Sequence, residues 1–119
     1  MILVRTIMNA IPEKQKELMQ TLLSMTDTAG KEKGCLSYGV FYDVDGKKVF
    51  NLIEEWETRE DLDQHIRSER FSVLLGTKSL LARPMEMKIH TVTHTEGIEV
   101  INTIRSKGAF KKEVIDVIE

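Results

Sequence analysis

Apolar residues follow two different periods along this chain. Residues 1–9 are rich in Ile, Leu, Val and Thr and stop just before Pro12, which predicts a β-strand. Apolar side chains then recur at helical intervals, at Leu18, Leu22, Met25 and Ala29. This spacing predicts a long amphipathic helix that begins near Pro12 and ends at the glycines that follow.

The middle of the chain predicts a β-hairpin and a capped helix. Residues 36–42 and 48–56 are rich in β-branched and aromatic residues, and they flank an Asp-Val-Asp-Gly turn at residues 43–46. Thr58, with Asp61 three residues later, resembles a capping box. A short helix with Leu62 and Ile66 directed inward should therefore follow the hairpin.

The last part of the predicted core is a helical stretch followed by a strand. Residues 69–81 predict a second helical stretch with Phe71, Leu74 and Leu75 on its inner side, and residues 85–93, after Pro84, predict a final strand. The order is strand, helix, strand, strand, helix, strand. This order predicts an α+β fold of the ferredoxin-like split βαβ type, a four-stranded antiparallel sheet with both helices on one face.

The alternation of side chains in the hairpin also predicts an oligomer. Successive residues of a strand point to opposite faces, and here both faces receive apolar residues. One face is predicted to hold Leu36, Tyr38, Val40 and Tyr42, and the other Cys35, Gly39 and Phe41. Two helices cover only one face, and apolar surface left in water forfeits roughly 25 cal/mol per Å². We therefore expect a homodimer in which two sheets pack face to face.

Residues 95–119 continue beyond the predicted core of residues 1–94. Ile98, Val100 and Ile101 are compatible with another strand, and Phe110 and the apolar residues after it follow helical spacing. A segment of about 25 residues is too short for an independent core. We expect it to be a C-terminal extension that packs on the same domain or on the dimer partner.

Composition restricts the classes of function. The chain has 119 residues, with 17 basic and 19 acidic ones and a net charge of -2, so neither nucleic acid nor a membrane surface is an expected partner. Its lone cysteine, Cys35, forms no internal disulfide, which suits a reducing compartment. The apolar start is interrupted by Arg5 and is too short for a signal-peptide core or a membrane span. A cytoplasmic location is expected.

Four pieces of sequence stand in an order that resembles a known family. They are Gly34-Cys35-Leu36-Ser37-Tyr38 at the start of a strand, the Asp-containing turn, Glu54-Glu55-Trp56 at the end of a strand, and Leu62-Asp63-Gln64-His65 on a short helix. Together they resemble the antibiotic biosynthesis monooxygenase family, within the dimeric α+β barrel superfamily. The resemblance extends over residues 1–92 and is nearest in type to quinol monooxygenases.

The resemblance implies chemistry without a cofactor. An electron-rich phenol or hydroquinone is deprotonated and reacts directly with O2, and the protein supplies a dry pocket and a few hydrogen bonds. The family also includes isomerases and haem-degrading enzymes. The haem-degrading members use a histidine in the second helical region, whereas residues 71–77 here contain none.

The candidate catalytic residues are His65 and Tyr38. A histidine exchanges protons near neutral pH, and His65 lies three residues after Leu62, close to the buried side of its helix. The alternative is a structural histidine that fixes the helix on the sheet through one hydrogen bond. Tyr38 is a polar group on a strand that could orient the oxygen atoms of a substrate, or simply pair across the sheet.

Four further residues form the predicted substrate-binding set. Trp56 could be a wall for a planar aromatic, or a core anchor. Asn51 could orient substrate oxygens, and Phe71 lies on the second helical stretch. Arg5 would hold an anionic group if it faces a cavity, or form a salt bridge with Glu54 or Glu55.

Neither a metal ion nor a nucleotide is expected. His90 and His94 are roughly 13 Å apart on a strand, too far to share one tetrahedral ion, and the glycines occur singly at turns. The family resemblance then implies the leading expectation, a cofactor-independent monooxygenase of a small hydroquinone or phenolic substrate. The alternative is an isomerase or a non-catalytic small-molecule binder on the same dimeric scaffold.

Overall fold

The structure is a computed structural model that describes residues 1–46 and 48–107. Its strands are β1 (Ile2–Asn9), β2 (Cys35–Tyr42), β3 (Val49–Trp56) and β4 (Glu86–Thr91), and its α-helices are α1 (Gln15–Ala29), α2 (Arg59–Arg67), α3 (Glu69–Gly76) and α4 (Ile98–Ser106). Short 3-10 turns at Pro12–Lys14 and Thr77–Leu80 precede α1 and follow α3.

The four strands form one antiparallel sheet in the order β2-β3-β1-β4. Because β1 and β3 lie in the middle, the chain must cross from β1 through α1 to the sheet edge and return through the hairpin. This is the ferredoxin-like topology, so the predicted α+β fold class is confirmed.

Strict alternation on the two central strands decides which face is buried. The helix-covered face carries Ile2, Val4, Thr6 and Met8 from β1 and Phe50, Leu52, Glu54 and Trp56 from β3, all of them buried. The buried side of α1 packs on this face through Leu18, Leu22, Met25 and Ala29, the four residues that the helical spacing identified. One main core and a smaller cluster around Trp56 result.

The opposite sheet face carries no helix from the α1–α3 layer and is mixed in character. We call it the open face, and it displays Leu3, Arg5, Ile7, Val49, Asn51, Ile53, Phe41, Lys88 and His90. Most of the apolar residues among these are only partly buried, and Phe41 is 55% exposed. The expectation of a second sheet over this face stays a prediction.

Local signals placed the α2 helix correctly. The Thr58 hydroxyl accepts a hydrogen bond from the Asp61 backbone N–H at 3.1 Å, as the capping pattern predicted. Ser68 is the N-cap of α3 in the same way, since its hydroxyl accepts a hydrogen bond from the Phe71 backbone N–H at 3.3 Å. Ser68 is also the C-cap of α2, so this one residue, with extended backbone, separates the two helices.

Two details of the predicted side-chain pattern were wrong. The start of β2 departs from the predicted alternation, because a β-bulge lies between Cys35 and Ser37. Leu36 turns outward and is 56% exposed, and Cys35 lies opposite Trp56 on the helix-covered face instead of on the face of Gly39 and Phe41. Leu75 is 51% exposed, because α3 is only two turns long and buries the side with Phe71 and Leu74.

A third correction concerns the C-terminal extension. Ile98, Val100 and Ile101 lie in helix α4 and not in a strand, since Gly97 starts the helix and apolar residues recur every three positions at Ile98, Ile101 and Ile104. The predicted helical pattern beginning at Phe110 falls outside the described residues. No helix in the described part of the chain is long and apolar enough to cross a membrane.

Candidate functional site

His65 is the centre of a buried polar cluster between the sheet and helix α2. Leu62 and His65 form the buried side of this helix, and the His65 side chain has no exposed surface. Its ring is packed among three aromatic rings. The centroid distances are 4.7 Å to Trp56, 5.6 Å to Phe71 and 5.9 Å to Tyr38.

Two carboxylates flank the His65 ring. Glu32 Oε2 lies 2.5 Å from Nδ1, which is a short hydrogen bond, and Glu54 Oε1 lies 3.8 Å from Nε2, which is beyond hydrogen-bond distance. Glu54 Oε1 instead accepts a hydrogen bond from Trp56 Nε1 at 2.9 Å. The His65 ring therefore has a hydrogen-bond partner at Nδ1 and none at Nε2.

Four buried polar atoms on the helix-covered side of the sheet have no hydrogen-bond partner among the described residues. They are His65 Nε2, Glu54 Oε2, the Tyr38 hydroxyl and the Thr6 hydroxyl. Buried polar groups are nearly always paired, so a group of this kind marks a place where a further molecule can bind. Tyr38 is paired with Glu54 across the hairpin and touches His65, so three of the four atoms belong to one cluster.

Burial changes the acid–base properties of the cluster. Desolvation, with a smaller contribution from the nearby charge of Glu32, raises the pKa of Glu54 to about 7 against the lowering effect of the Trp56 hydrogen bond. Desolvation and the same two carboxylates raise the pKa of the Tyr38 phenol well above its usual range. Tyr38 is thus a hydrogen-bond donor at neutral pH, while Glu54 changes its protonation state there.

The sequence-predicted site residues separate into two groups. His65, Tyr38, Trp56 and Phe71 come together in the buried cluster. Arg5 and Asn51 lie on the open face, where Arg5 Nε donates a hydrogen bond to Asn51 Oδ1 at 3.1 Å. Neither alternative considered for Arg5 is seen, since its observed partner is an amide and not a cavity anion or a glutamate. Arg5 and Asn51 therefore lie on the opposite side of the sheet from His65.

Sequence reasoning missed both carboxylates. Glu54 alternates with Leu52 and Trp56, so the strand pattern already placed it on the buried face. Glu32 carried no local signal, because it lies in the loop after α1 and meets His65 from 33 residues away. Among the described residues, no group of three or more His, Cys, Asp or Glu side chains is arranged to hold a metal ion.

Two surface cavities lie near the helix layer, and neither is lined by His65. The larger, about 420 Å³, is lined by residues of the α1 start together with Tyr42 and Phe50. The smaller, about 290 Å³, is lined by Glu32, Lys33 and three residues of α2. The smaller cavity gives solvent contact to the carboxylate that holds His65.

This fold and cluster define a ferredoxin-like domain with a buried histidine enclosed by aromatic rings. The comparisons with known proteins agree with the fold and give its family. The family model for antibiotic biosynthesis monooxygenase matches residues 1–74. The chain belongs to the antibiotic biosynthesis monooxygenase family. No curated protein matches the chain.

Solved structures show the same fold. A conserved protein from Methanosarcina mazei is 32% identical, with a TM-score of 0.71 over 75% of this chain and 89% of that one. A protein from Mycobacterium tuberculosis is 24% identical, with a TM-score of 0.74 over 81% and 98% of the two chains. A candidate antibiotic biosynthesis monooxygenase from Deinococcus radiodurans is 20% identical, with a TM-score of 0.76 over 82% and 98%.

Proposed function

We propose that this protein is a cofactor-independent monooxygenase that acts on a small hydroquinone or phenol with O2. Membership of the antibiotic biosynthesis monooxygenase family supports the reaction class. The observation that carries the proposal is the unpartnered Nε2 of His65, which lies in an aromatic enclosure beside the unpartnered Tyr38 hydroxyl.

These groups suit the first step of such a reaction. An aromatic substrate would take its place against Trp56, and its hydroxyl would give a proton to His65 Nε2. The resulting electron-rich anion reacts with O2 in a site from which water is excluded. Tyr38 keeps its proton at neutral pH and donates a hydrogen bond to a substrate oxygen.

The electrons in this reaction come from the substrate. A hydroquinone and O2 give a hydroxyquinone and one water: one oxygen atom enters the ring, and the other takes up two protons and two electrons to become water. The protein has to move protons and exclude solvent, which a histidine among aromatic rings can do.

Substrate entry requires a change in the helix layer. The unpartnered atoms are buried, and Phe71 of α3 closes the cluster with only 6% of its surface exposed. We assign Phe71 to the substrate-binding set as the side chain that moves aside. The roles of Arg5 and Asn51 in binding stay predictions, and their place on the open face would bring them to a substrate only through a second protomer.

An isomerase is the second candidate, since a histidine flanked by two carboxylates suits proton shuttling between two substrate atoms. Measurement of oxygen uptake distinguishes a monooxygenase from an isomerase. The purified protein should consume O2 with at least one member of a hydroquinone panel without added flavin or metal. Turnover of a substrate without O2 consumption would favour the isomerase, and binding without turnover would favour a small-molecule binder.

A further inference from the structure

Glu32 belongs to the polar cluster around His65, but the proposed reaction gives this carboxylate no role. It lies in the loop between α1 and β2, where its backbone N–H donates to Ala29 O at 3.1 Å and its carbonyl accepts from the Cys35 N–H at 3.1 Å. The loop thus holds the Glu32 backbone on both sides. Its side chain is 16% exposed, whereas the His65 side chain is fully buried.

The Glu32 carboxylate uses both oxygens. Oε2 meets His65 Nδ1 at 2.5 Å, and Oε1 lies 3.4 Å from the Arg70 guanidinium. Arg70 also donates to the Thr28 carbonyl at 3.2 Å, so it is fixed relative to the end of α1. The carboxylate is therefore oriented toward the ring by a cation behind it.

An ionised carboxylate only accepts hydrogen bonds. The short bond therefore requires the proton of the neutral His65 ring to sit on Nδ1, which leaves a lone pair on Nε2. Glu54 does not compete for this proton, because its oxygen is 3.8 Å from Nε2 and already accepts from Trp56. The unequal distances select one tautomer.

We propose that Glu32 is the positioning residue of this site, which fixes the orientation and tautomer of His65 and stabilises the imidazolium formed when Nε2 takes a proton. This inference rests on the proposed function for its catalytic part. The substrate O–H bond breaks as the Nε2–H bond forms, and Nε2 later returns that proton to the oxygen atom that leaves as water. The ring ends in the tautomer in which it began, and Glu32 remains the acceptor for Nδ1–H throughout.

The tautomer can be tested without any substrate. Long-range proton–nitrogen NMR spectra of the wild type, with the His65 signal assigned by its loss in His65→Gln, should show Nδ1 as the protonated nitrogen of the neutral ring. In Glu32→Gln the ratio of the Nδ1–H to the Nε2–H tautomer should fall about tenfold, since a neutral amide is a weaker acceptor than a carboxylate and can also donate. A wild-type ring protonated on Nε2 would overturn the proposal, even if a variant failed to fold.

Turnover gives the second readout. On an active hydroquinone, Glu32→Gln should lower kcat by roughly 10²-fold with little change in KM, because the base is misplaced while the binding surface remains. In Glu32→Ala, added formate should restore part of the rate with saturation, because the smaller cavity opens on Glu32. The exposed Glu57, at the same corner, supplies the control Glu57→Gln, which should behave as the wild type in both assays.

The tautomer spectra and the turnover measurements together distinguish the proposed role of Glu32 from the proposed monooxygenase reaction. Correct tautomer spectra with no turnover on any substrate would leave Glu32 as the orienter of His65 and would count against the monooxygenase alone. Full turnover and an unchanged tautomer in Glu32→Gln would overturn the role of Glu32 and leave the monooxygenase intact.

Discussion

Glu54 and Trp56 lie two positions apart on β3, and the Trp56 indole N–H donates to Glu54 Oε1 at 2.9 Å on the buried face of the sheet. Trp56 thus does more than fill the core, because its hydrogen bond fixes the Glu54 carboxylate on the face that the helices cover. The bond occupies Oε1, which lies 3.8 Å from His65 Nε2, and Oε2 is buried without a hydrogen-bond partner among the described residues. Trp56 therefore contributes to the core and also orients the charge of the site.

Glu54 should make stability depend on pH. Its pKa rises from 4.5 to about 7 on folding, so the protonated form favours the folded state. This contribution is complete below about pH 4.5 and is lost as the pH rises through about 7, where the folded protein holds a buried carboxylate. The loss is on the order of 3 kcal/mol for a shift of this size.

Glu54→Gln isolates this effect, because the amide oxygen can still accept from Trp56. We expect the variant to gain stability relative to the wild type when the pH is raised from about 4.5 to about 8. Urea unfolding of both proteins at the two pH values measures the difference. A difference that does not change with pH would contradict the assigned pKa of Glu54.

His65→Ala tests the centre of the cluster. We expect turnover per folded molecule to fall by roughly 10²- to 10⁴-fold, because the proton acceptor is lost. Stability should also fall, by about 1 to 3 kcal/mol, since Glu32 loses its buried partner. Kinetics and urea unfolding on one preparation give both numbers, with the exposed Arg67→Ala on the same helix as the control. Full turnover in His65→Ala would remove His65 from the site and make Tyr38 the next candidate for the proton transfer.

Gly34→Ala tests the corner that brings Glu32 to His65. Gly34 has φ of 79°, and a Cβ atom there would overlap the Asp61 carboxylate at the start of α2. Strain of this kind costs about 1 to 3 kcal/mol before the clash is counted. Thermal or urea unfolding should therefore show a marked loss of stability.

Gly76→Ala is the matched control for that variant. Gly76 has helical φ and ψ of -65° and -19°, and nothing lies within 4 Å of an added Cβ. Alanine at a helical position is better than glycine by up to about 1 kcal/mol, so Gly76→Ala should be neutral or stabilising. Equal losses in the two variants would contradict the explanation given for Gly34.

The open face of the sheet predicts a homodimer. Sedimentation at micromolar concentration should give twice the chain mass of 13.7 kDa. Ile53→Lys, at the centre of this face, should shift the protein toward the monomer, because a cation would be buried directly opposite Arg5. Val73→Lys on the helix layer, where Val73 is 49% exposed, should not. A well-folded wild-type monomer across this range would end the face-to-face model.

Metal removal tests the proposed absence of a cofactor in the reaction. Protein dialysed against a chelator should keep its full rate of oxygen uptake on an active hydroquinone. Loss of that rate, with recovery on adding back one specific ion, would show that a metal takes part.

The sequence alone determined the elements whose signals are local. Helical spacing identified the four buried residues of α1, the Thr58 and Asp61 pair identified the start of α2, and alternation identified the buried side of β3. The family motif identified His65, Tyr38 and Trp56 as candidate site residues. Each of these features depends on residues within a few positions of one another or on a short motif, so the pattern alone contains it.

Only the tertiary structure decided the features that depend on distant residues. The bulge that turns Leu36 outward is set by the pairing of β2 with β3. Arg5 and Asn51 lie on the opposite side of the sheet from His65 because the helices cover only the other face. The contact between Glu32 and His65 joins a loop to a helix 33 residues later, and it depends on the close approach of Gly34 to Asp61. Periodicity reports which side of an element is buried, but the partner across the core is fixed only when the chain has folded.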